Sequence, residues 1–328
     1  MKLRILIPAI LVLPVLLCAS VSAKDRSAYS PGDHQLQLKV GGYARTAVLH
    51  VPAAYRRSAP PPLVIGLHGA GGNGADFLAG DGWSELSERE GFLVVAPDGL
   101  PARPDYPSNL VLNPRLWNSG QLEASGPRAK IDDVAFIRAL MKLIARKVPY
   151  DARRVYVTGH SMGGGMTFRL ARAMGDRITA IGTVAGIASD EAPPLPRPVP
   201  TLFIYGELDP LMPLEGGRSR TPWGSRTTLP VPQYVSRWAT ALDCDSTPNV
   251  TRDDGQLRIA EFRTAQGEMR LRWITIKGQG HAWPGGQSHK LLRRWLGPET
   301  NNLDATAAIW QFFATATPLP IAPASGGE

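Results

Sequence analysis

One segment, residues 155–166, constrains the fold of this chain more than any other. It reads Val-Tyr-Val-Thr-Gly-His-Ser-Met-Gly-Gly-Gly-Met, so an apolar run stops at a glycine, a serine follows, and small residues open a helical pattern. A Gly-x-Ser-x-Gly sequence in this position is typical of a buried strand that turns sharply into a helix, with the serine at the tip of the turn. The segment therefore predicts an exposed, nucleophilic Ser161 near a helix N-terminus.

The first 23 residues have the features of a cleavable export signal. Lys2 and Arg4 form a basic start, residues 5–17 are almost wholly apolar, and small residues follow up to Ala23. The apolar run is shorter than the roughly 20 residues that a membrane span needs. We therefore predict a secretory peptide that is cut after Ala23, and a secreted or periplasmic protein without stable membrane insertion.

The two cysteines bear on processing and stability. A lipid anchor on Cys18 is the alternative to simple cleavage, but Leu17 stands where such an anchor needs a small residue. After cleavage Cys244 is the one remaining cysteine, so no intramolecular disulfide can form. No cysteine pair or His/Cys cluster suggests a metal site.

The chain has 328 residues, is 43% hydrophobic and carries a formal net charge of +8. This is enough apolar material for one large core, so we predict a single catalytic domain over residues 24–317 and a disordered tail over residues 318–328. The positive charges are spread out, without a basic stripe that contains aromatic residues. Nucleic-acid binding is therefore not expected.

Strand and helix patterns alternate along most of the chain. Residues 35–40 and 43–51 indicate a hairpin, and later apolar runs are typical of strands that are buried on both faces. The alternation predicts an α/β fold with a doubly wound, mostly parallel sheet and helices on both faces. The later predicted strands cover 63–68, 92–96, 154–158, 178–184, 201–205, 257–262 and 269–276, and the predicted helices cover 75–90, 131–148, 166–173, 231–242 and 303–314.

Three stretches, 100–118, 190–200 and 214–230, are rich in residues such as Pro, Asn, Gly and Ser and look irregular. Each follows a predicted strand of the sheet, where loops commonly build a site. They are candidates for the rim of a substrate cleft, and inert surface loops are the alternative interpretation.

A nucleophilic serine needs a base to take its proton and an acid to orient that base. With this type of turn the chain order is serine, acid, histidine. Asp209 comes just after the apolar run 201–205, so we predict it as the acid. Glu207 is the local alternative, and Asp190 and Asp243 are two others.

His281 is the predicted base. It follows the predicted strand 269–276 and lies within Gly-Gln-Gly-His-Ala-Trp-Pro-Gly-Gly, whose glycines let a loop approach the sheet edge. An imidazole suits this task because its ordinary pKa is about 6.5. The other histidines precede the serine, adjoin it or lack a strand before them: His34, His50, His68, His160 and His289.

Backbone N–H donors for a developing oxyanion are expected in two places. One is Met162, directly after the nucleophile, and the other is the loop that follows an early strand. The glycine-rich segment 67–74 fits the second place, and Ala70 is the predicted donor. A phosphate-binding loop is the alternative interpretation, but the Lys-Ser/Thr ending and the dinucleotide spacing are missing.

Three further side chains are candidates for contact with a substrate. Trp283, two residues after the predicted base, could form an aromatic wall, with core packing as the alternative. Trp117 is a second aromatic candidate, and His160 adjoins the nucleophile. The pair Asp132-Asp133 starts a predicted helix, so capping is favoured over acid/base chemistry.

Together these motifs resemble the polyhydroxybutyrate depolymerase/feruloyl esterase family of α/β hydrolases. The resemblance extends over residues 38–313, and the Asp-Asp-Val helix start followed by Tyr-Asp-x-Arg-Arg-Val-Tyr-Val-Thr-Gly is more specific than the serine turn. It rests on residues 67–72, 96–99, 131–136, 150–166, 206–213 and 280–285. It implies the α/β-hydrolase fold and a secreted serine esterase that uses Ser161, Asp209 and His281 without a metal or an organic cofactor.

The sequence departs from the family pattern in two respects. His160 stands where the family often has a smaller or apolar residue. No Thr/Ser-rich linker or added binding domain follows the catalytic domain, although depolymerases that act on insoluble granules commonly carry one. We therefore expect small or oligomeric esters, either hydroxyalkanoate oligomers or the feruloyl and acetyl esters of plant polysaccharide.

Two other functions are alternatives to ester hydrolysis. A serine peptidase of the same fold is disfavoured because the sequence shows no propeller or other large gating domain. A binding protein with a decayed site is disfavoured because all three catalytic positions are filled. The predicted partner is thus an ester substrate, and no oligomeric state is predicted.

Overall fold

The computed structural model describes residues 28–189, 194–287 and 293–320. The predicted signal peptide, residues 1–23, lies outside these ranges, as do residues 321–328 of the predicted tail. The strands are β1 (Gly32–Val40), β2 (Tyr43–Val51), β3 (Leu63–Leu67), β4 (Leu93–Pro97), β5 (Leu100–Pro101), β6 (Arg115–Leu116), β7 (Val155–His160), β8 (Ala180–Val184), β9 (Thr201–Gly206), β10 (Gly217–Thr221), β11 (Gly224–Thr228), β12 (Asn249–Asp253), β13 (Leu257–Arg263) and β14 (Met269–Ile276). The helices are α1 (Gly74–Gly80), α2 (Trp83–Glu90), α3 (Asp133–Lys147), α4 (Met162–Met174), α5 (Val231–Ala241), α6 (Arg293–Leu296) and α7 (Ala305–Thr315).

Ten strands form one sheet in the order β1-β2-β4-β3-β7-β8-β9-β14-β13-β12. The central strands from β4 to β14 run parallel, and the pairs at both edges are antiparallel. Parallel strands are buried on both faces, which explains the continuous apolar runs in the middle of the sheet. The predicted mostly parallel sheet is confirmed.

Helices cover both faces of the sheet, as predicted. Helices α3, α4 and α5 pack on one face, and α1, α2 and α7 pack on the other. Along β7, Val157 belongs to the first apolar core and its neighbour Tyr156 to the second, as the alternation of side chains in a strand requires. Full burial of one such side chain contributes about 1.5–3 kcal/mol. The two cores thus hold the strand ends, where the site forms, in place.

The predicted helix 75–90 is two helices in the structure. Helix α1 ends at Gly80 and α2 begins at Trp83. Gly82 between them has a φ of 73°, which glycine adopts without strain. Because α1 ends here, its last carbonyl group can bind another segment. Gly80 O accepts a hydrogen bond from Gln287 N at 2.8 Å.

The stretch 214–230, expected to be irregular, contains a β-hairpin. Strands β10 and β11 pair antiparallel, with Pro222 and Trp223 at the turn. Only Ser219 and Thr228 are buried in these strands. The sequence therefore lacks the apolar alternation by which a strand is recognised.

The two neighbouring aspartates at the start of α3 have different environments. Asp132 is exposed and caps the helix, because its carboxylate accepts a hydrogen bond from Ala135 N at 2.9 Å. Asp133 is fully buried and binds Arg45 at 2.9 Å and Arg128 at 2.5 Å. Capping is confirmed for Asp132. Asp133 lies in the first turn of α3, where a negative charge suits the helix dipole, but its carboxylate is bound by Arg45, 88 residues away, and by Arg128, five residues earlier.

The helices of the described part of the chain are short compared with a membrane span of roughly 20 residues. Helix α3 has 15 residues and α4 has 13. None of the helices within these ranges combines the length and the apolar character that crossing a bilayer requires.

Candidate active site

Ser161, Asp209 and His281 lie together at one edge of the sheet. They follow the strands β7, β9 and β14, which run parallel through the intervening β8. Because the carboxyl ends of parallel strands meet at the same edge, residues 120 and 72 positions apart become neighbours.

The three side chains form a continuous hydrogen-bonded chain. His281 Nε2 lies 2.8 Å from Ser161 Oγ, and His281 Nδ1 lies 2.6 Å from Asp209 Oδ2. Asp209 Oδ1 accepts hydrogen bonds from the backbone N–H groups of Leu211 and Met212, each at 2.9 Å. Because a carboxylate only accepts, Nδ1 of His281 carries the proton and the Nε2 lone pair faces the hydroxyl. The arrangement can take a proton from Ser161 Oγ.

The turn that carries Ser161 is tight. Ser161 has a φ of 52° and a ψ of −114°, outside the regions that L-residues prefer. A Cβ at Gly163 would collide with Leu67 O at the end of β3, and a Cβ at Gly159 would collide with the backbone of Gly163. The two glycines therefore let α4 begin directly against the sheet, with Ser161 at its N-cap position.

Glu207 and Asp243, two of the alternative acids, form ion pairs with basic side chains. Glu207 pairs with Lys277 Nζ at 3.2 Å. Asp243 pairs with Arg270 at 3.3 Å, and Asp190 lies outside the described residues. Among Asp209, Glu207 and Asp243, only Asp209 has a carboxylate within hydrogen-bond distance of the His281 imidazole.

Within the described part of the chain, His34 and His50 do not reach the serine. His34 Nε2 lies 2.7 Å from Ser30 O on an exposed surface. His50 Nδ1 lies 2.6 Å from an oxygen of Asp33. His289 lies outside the described residues.

His160 binds the backbone of the predicted base. Its Nε2 lies 2.7 Å from His281 O, and because a carbonyl only accepts, Nε2 carries the proton and donates. Burial lowers the pKa of His160 to about 4, so the ring stays neutral well below pH 7. His160 therefore holds the loop of His281 in place, and its ring also lines the cavity in which a substrate would bind.

Two backbone N–H groups beside the serine are available to an oxyanion. Neither Ala70 N nor Met162 N has a hydrogen-bond acceptor in the ranges that the structure describes. The next N–H of the same loop is occupied, because Gly71 N donates to Arg115 O at 2.8 Å. A Cβ at Gly69 would lie 3.5 Å from the Cβ of the serine, so this loop passes directly beside the nucleophile.

A cavity of about 820 Å³ opens at the serine. Ser161 and His281 line one part of it. Aromatic side chains line other parts, namely Phe77, Trp223, Trp283 and Trp295. Cavities of roughly 300–1,000 Å³ with apolar walls and a few polar groups are typical of small-molecule sites.

The two predicted substrate-contacting tryptophans differ. Trp283 lines the cavity and also belongs to the core, where its Nε1 donates to Thr306 Oγ1 at 2.9 Å and its ring centroid lies 5.4 Å from that of Phe77. Trp117 is fully buried and does not line the cavity. Its Nε1 donates to His68 O at 2.9 Å, so Trp117 supports from the core the glycine-rich segment 67–74, which carries the predicted donor Ala70 and is called the oxyanion loop below. The prediction of substrate contact for Trp117 is corrected.

Comparison with known proteins assigns the chain to a family. Residues 41–275, well over half of the chain, match the Esterase family model. The chain belongs to the esterase family. The match includes Ser161 and Asp209 and ends shortly before His281. The reaction class of this esterase is hydrolysis of carboxylic esters.

Two relatives of this esterase are feruloyl esterases. Feruloyl esterase C of Emericella nidulans is 31% identical over 214 residues, which cover 62% of this chain and 71% of that protein. Feruloyl esterase B of Piromyces equi is 26% identical over 250 residues, which cover 74% of this chain and 44% of that protein. The esterase is thus similar over most of its length to proteins named for feruloyl ester hydrolysis.

Solved structures share the fold at low sequence identity. An acetyl xylan esterase from Aspergillus awamori superposes with a TM-score of 0.54 at 15% identity and covers 81% of this chain and 98% of that one. An S-formylglutathione hydrolase from Agrobacterium tumefaciens gives a TM-score of 0.53 at 15% identity and covers 87% and 95%. These likenesses show the α/β-hydrolase fold of the esterase.

Two of the three irregular stretches contribute to the cavity of the esterase. Arg115, in the stretch 100–118, and Trp223, in the stretch 214–230, both line it. Residues 194–200 of the third stretch do not. The segments were identifiable because each follows a strand, but the contacting side chains were not, because the segments have no regular pattern.

Asp81 is a cavity residue that the sequence did not indicate. It lies in the break between α1 and α2 and lines the cavity. Burial raises the pKa of the Asp81 carboxyl well above its ordinary range. No motif marks Asp81, because its position depends on where α1 ends.

The described residues of the esterase contain no group of three or more His, Cys, Asp and Glu side chains that could hold a metal ion. Cys244 is partly buried, and its Sγ lies 3.5 Å from Phe262 O. Burial raises the pKa of the Cys244 thiol, which disfavours the reactive thiolate.

His68 is a neutral histidine built into the oxyanion loop of the esterase. Its Nδ1 lies 2.7 Å from Gly69 O, and its Nε2 accepts a hydrogen bond from Gly99 N at 2.9 Å. Only the neutral ring with its proton on Nδ1 makes both bonds. Burial lowers the pKa of His68 to about 4, in agreement with this state.

We expect the free energy of unfolding of the esterase to fall as the pH drops from about 6.5 to about 4. In the unfolded chain His68 titrates near its ordinary pKa of about 6.5, so over this range the unfolded state binds the proton more readily than the folded state. The contribution of His68 is on the order of 3 kcal/mol. Chemical denaturation at a series of pH values measures it.

His68→Gln should therefore show a shallower pH dependence of unfolding than the unmodified protein. The control is His34→Gln, because His34 is only partly buried and does not line the cavity. Equal pH slopes in all three proteins would contradict the assignment of His68 as a buried neutral group.

Proposed function

We propose that this protein is an exported serine esterase that hydrolyses its ester through an acyl-serine intermediate. The observation that carries the proposal is the hydrogen-bonded chain from Asp209 through His281 to Ser161, with distances of 2.6 and 2.8 Å, at the edge of the cavity. A serine hydroxyl is a weak nucleophile at neutral pH, and this chain supplies the base that it needs.

The first half of the reaction forms the acyl-serine. His281 Nε2 takes the proton of Ser161 Oγ as Oγ attacks the ester carbonyl carbon, and Asp209 stabilises the imidazolium that results. The N–H groups of Ala70 and Met162 donate to the oxyanion of the tetrahedral intermediate. When this intermediate collapses, the bond to the alcohol oxygen breaks and His281 gives its proton to that oxygen.

The second half releases the acid. A water molecule takes the place of the alcohol, and His281 accepts a proton from it as the water oxygen attacks the acyl carbonyl carbon. Collapse of the second intermediate breaks the bond to Ser161 Oγ, which recovers its proton from His281. The products are a carboxylic acid and an alcohol, and the enzyme returns to its starting protonation state.

Feruloyl esters of plant polysaccharide are the substrate class that we propose. Trp223, Trp283 and Trp295 line the cavity, and such rings can stack on a planar aryl group. The relatives named feruloyl esterase support the same acyl group. Acetyl esters of polysaccharide and hydroxyalkanoate oligomers are the alternatives, and a substrate panel separates them.

The panel compares kcat/KM for methyl ferulate, acetyl-xylan, hydroxybutyrate oligomers and a peptide anilide. Methyl ferulate should exceed each of the others by about tenfold or more, since a pocket that fits the aryl group favours it by 1–3 kcal/mol. A preference for one of the other esters would replace the feruloyl assignment. Cleavage of the anilide at a comparable rate would favour a peptidase, and no hydrolysis of any ester would contradict the proposal.

Export is part of the same proposal. The basic start, the apolar run and the small residues before position 24 support cleavage after Ala23, and the catalytic domain then covers residues 24–317 with a tail over 318–328. Sequencing the N-terminus of the protein recovered outside the cytoplasm tests the cleavage site. A mature protein that still begins with Met1 would contradict it.

A further inference from the structure

Arg115 is a cation in the wall of the cavity that the proposed reaction does not use. It lies in the short strand β6 and lines the cavity together with Leu110 and Trp223. Its backbone is fixed beside the oxyanion loop, because Arg115 O accepts a hydrogen bond from Gly71 N at 2.8 Å. Arg115 is thus a partly buried residue in a segment that is hydrogen-bonded to the loop of Ala70.

Arg115 has no counter-ion within the ranges that the structure describes. Its guanidinium lies more than 4.0 Å from every carboxylate oxygen in those ranges, including those of Asp76 and Asp81, which line the same cavity. The arginines of β12, β13 and β14 differ, because each pairs with a carboxylate. These are Arg252, Arg258, Arg263, Arg270 and Arg272. An unpaired guanidinium in a cavity wall is costly to desolvate unless a ligand supplies the anion.

The surroundings of Arg115 strengthen its attraction for an anion. Trp223 Nε1 donates to Leu110 O at 3.0 Å, which joins the β10/β11 hairpin to the loop before β6, and both residues line the cavity that Arg115 lines. In such surroundings a charge pair attracts more strongly than in water. Burial is the main cause that lowers the pKa of His68, and the positive charge of Arg115 lowers this pKa further. The charge of Arg115 therefore acts on the oxyanion loop.

We propose that Arg115 binds a carboxylate carried by the ester substrate, so that the enzyme prefers anionic esters to neutral esters of the same size. The inference rests on the proposed ester hydrolysis. The planar guanidinium offers two N–H donors in the geometry that a carboxylate accepts. The carboxylate can belong to the acyl part or to the alcohol part, as in esters of uronic acid-containing polysaccharide or hydroxyacid oligomers with a free carboxyl end.

The test compares two matched pairs of esters. On the acyl side, monomethyl succinate is compared with methyl 4-oxopentanoate, and on the alcohol side 3-acetoxybutyrate is compared with 3-acetoxybutyramide. The unmodified enzyme should have the higher kcat/KM for the anionic member of at least one pair. Arg115→Gln should lower that anionic-to-neutral ratio about 10- to 100-fold, as expected for loss of a hydrogen-bonded charge pair. The pair that responds identifies the part of the ester that carries the carboxylate.

Arg103→Gln is the matched control. Arg103 lies in the segment between β5 and β6, its guanidinium carbon lies 5.2 Å from the ring centroid of Tyr106, and it does not line the cavity. This variant loses the same charge and should keep the ratio within about twofold, because a distant exposed charge is screened. Arg115→Lys keeps the charge without the planar pair of donors and should give an intermediate ratio.

Equal ratios for the unmodified enzyme and Arg115→Gln, at equal Tm, would overturn the assignment of Arg115 and leave ester hydrolysis intact. Hydrolysis of none of the four esters would instead contradict the proposed function itself. Because each measurement contains a neutral ester of the same size, the two failures are distinguishable.

Discussion

Ser161→Ala should lower kcat for p-nitrophenyl butyrate by about 10⁴- to 10⁶-fold while the protein stays folded. The substitution removes Oγ, the atom that lies 2.8 Å from His281 Nε2 and that would attack the ester. The remaining rate would come from the oxyanion donors Ala70 and Met162, which stay in place because they are backbone groups. Hydrolysis at saturating ester measures the loss, and circular dichroism and Tm report on folding.

Ser125→Ala is the control for this experiment. Ser125 is exposed, and its hydroxyl contacts Glu123 rather than the cavity, so this variant should keep the kcat of the unmodified enzyme. Ser161 already has a Cβ at a φ of 52°, so alanine adds no backbone strain there. If Ser161→Ala kept more than about 1% of the activity, another group would be the nucleophile and the acyl-serine mechanism would be wrong.

Asp133→Asn should lower the free energy of unfolding by about 3–5 kcal/mol. The Asp133 carboxylate is fully buried, binds Arg45 at 2.9 Å and Arg128 at 2.5 Å, and accepts a hydrogen bond from Asn118 N at 2.7 Å. Asparagine has nearly the same shape but no charge, so two buried guanidinium groups would lose their counter-ion. Burial lowers the pKa of Arg45, which shows that this environment disfavours an unbalanced positive charge.

Asp132→Asn is the matched control for Asp133→Asn, one residue earlier in the chain. The Asp132 side chain is exposed, and an amide oxygen in its place can still accept the hydrogen bond from Ala135 N. Its free energy of unfolding should change by less than about 0.5 kcal/mol. Urea denaturation followed by tryptophan fluorescence gives both values. Equal stabilities of the two variants would mean that the buried ion pairs do not stabilise the fold.

The candidate catalytic residues could be predicted because each is marked by its own neighbours in the chain. Ser161 lies in a strand–turn–helix motif, and Asp209 and His281 each follow an apolar run that reads as a buried strand. Since parallel strands bring their carboxyl ends to one edge, the order of the motifs was enough to predict that the three side chains meet.

The surroundings of Trp117 and Asp133 could not be predicted from the sequence. The sequence around Trp117 suggested the same role as that around Trp283, yet only Trp283 lines the cavity. Asp133 looked like its neighbour Asp132, yet it is the buried partner of two arginines. A side chain's burial depends on which distant segments pack against it, and a local pattern does not contain that information.

The amino-acid sequence by itself determined the alternation of strands and helices, the serine turn and the order of the candidate catalytic residues, because these depend on periodicity and on conformational preferences over a few residues. Only the tertiary structure decided that Arg115 and Trp223, from two irregular stretches, share one cavity, and that His160 holds the loop of His281. Those contacts join segments far apart in the chain, and they form only when the whole sheet and its two apolar cores have packed.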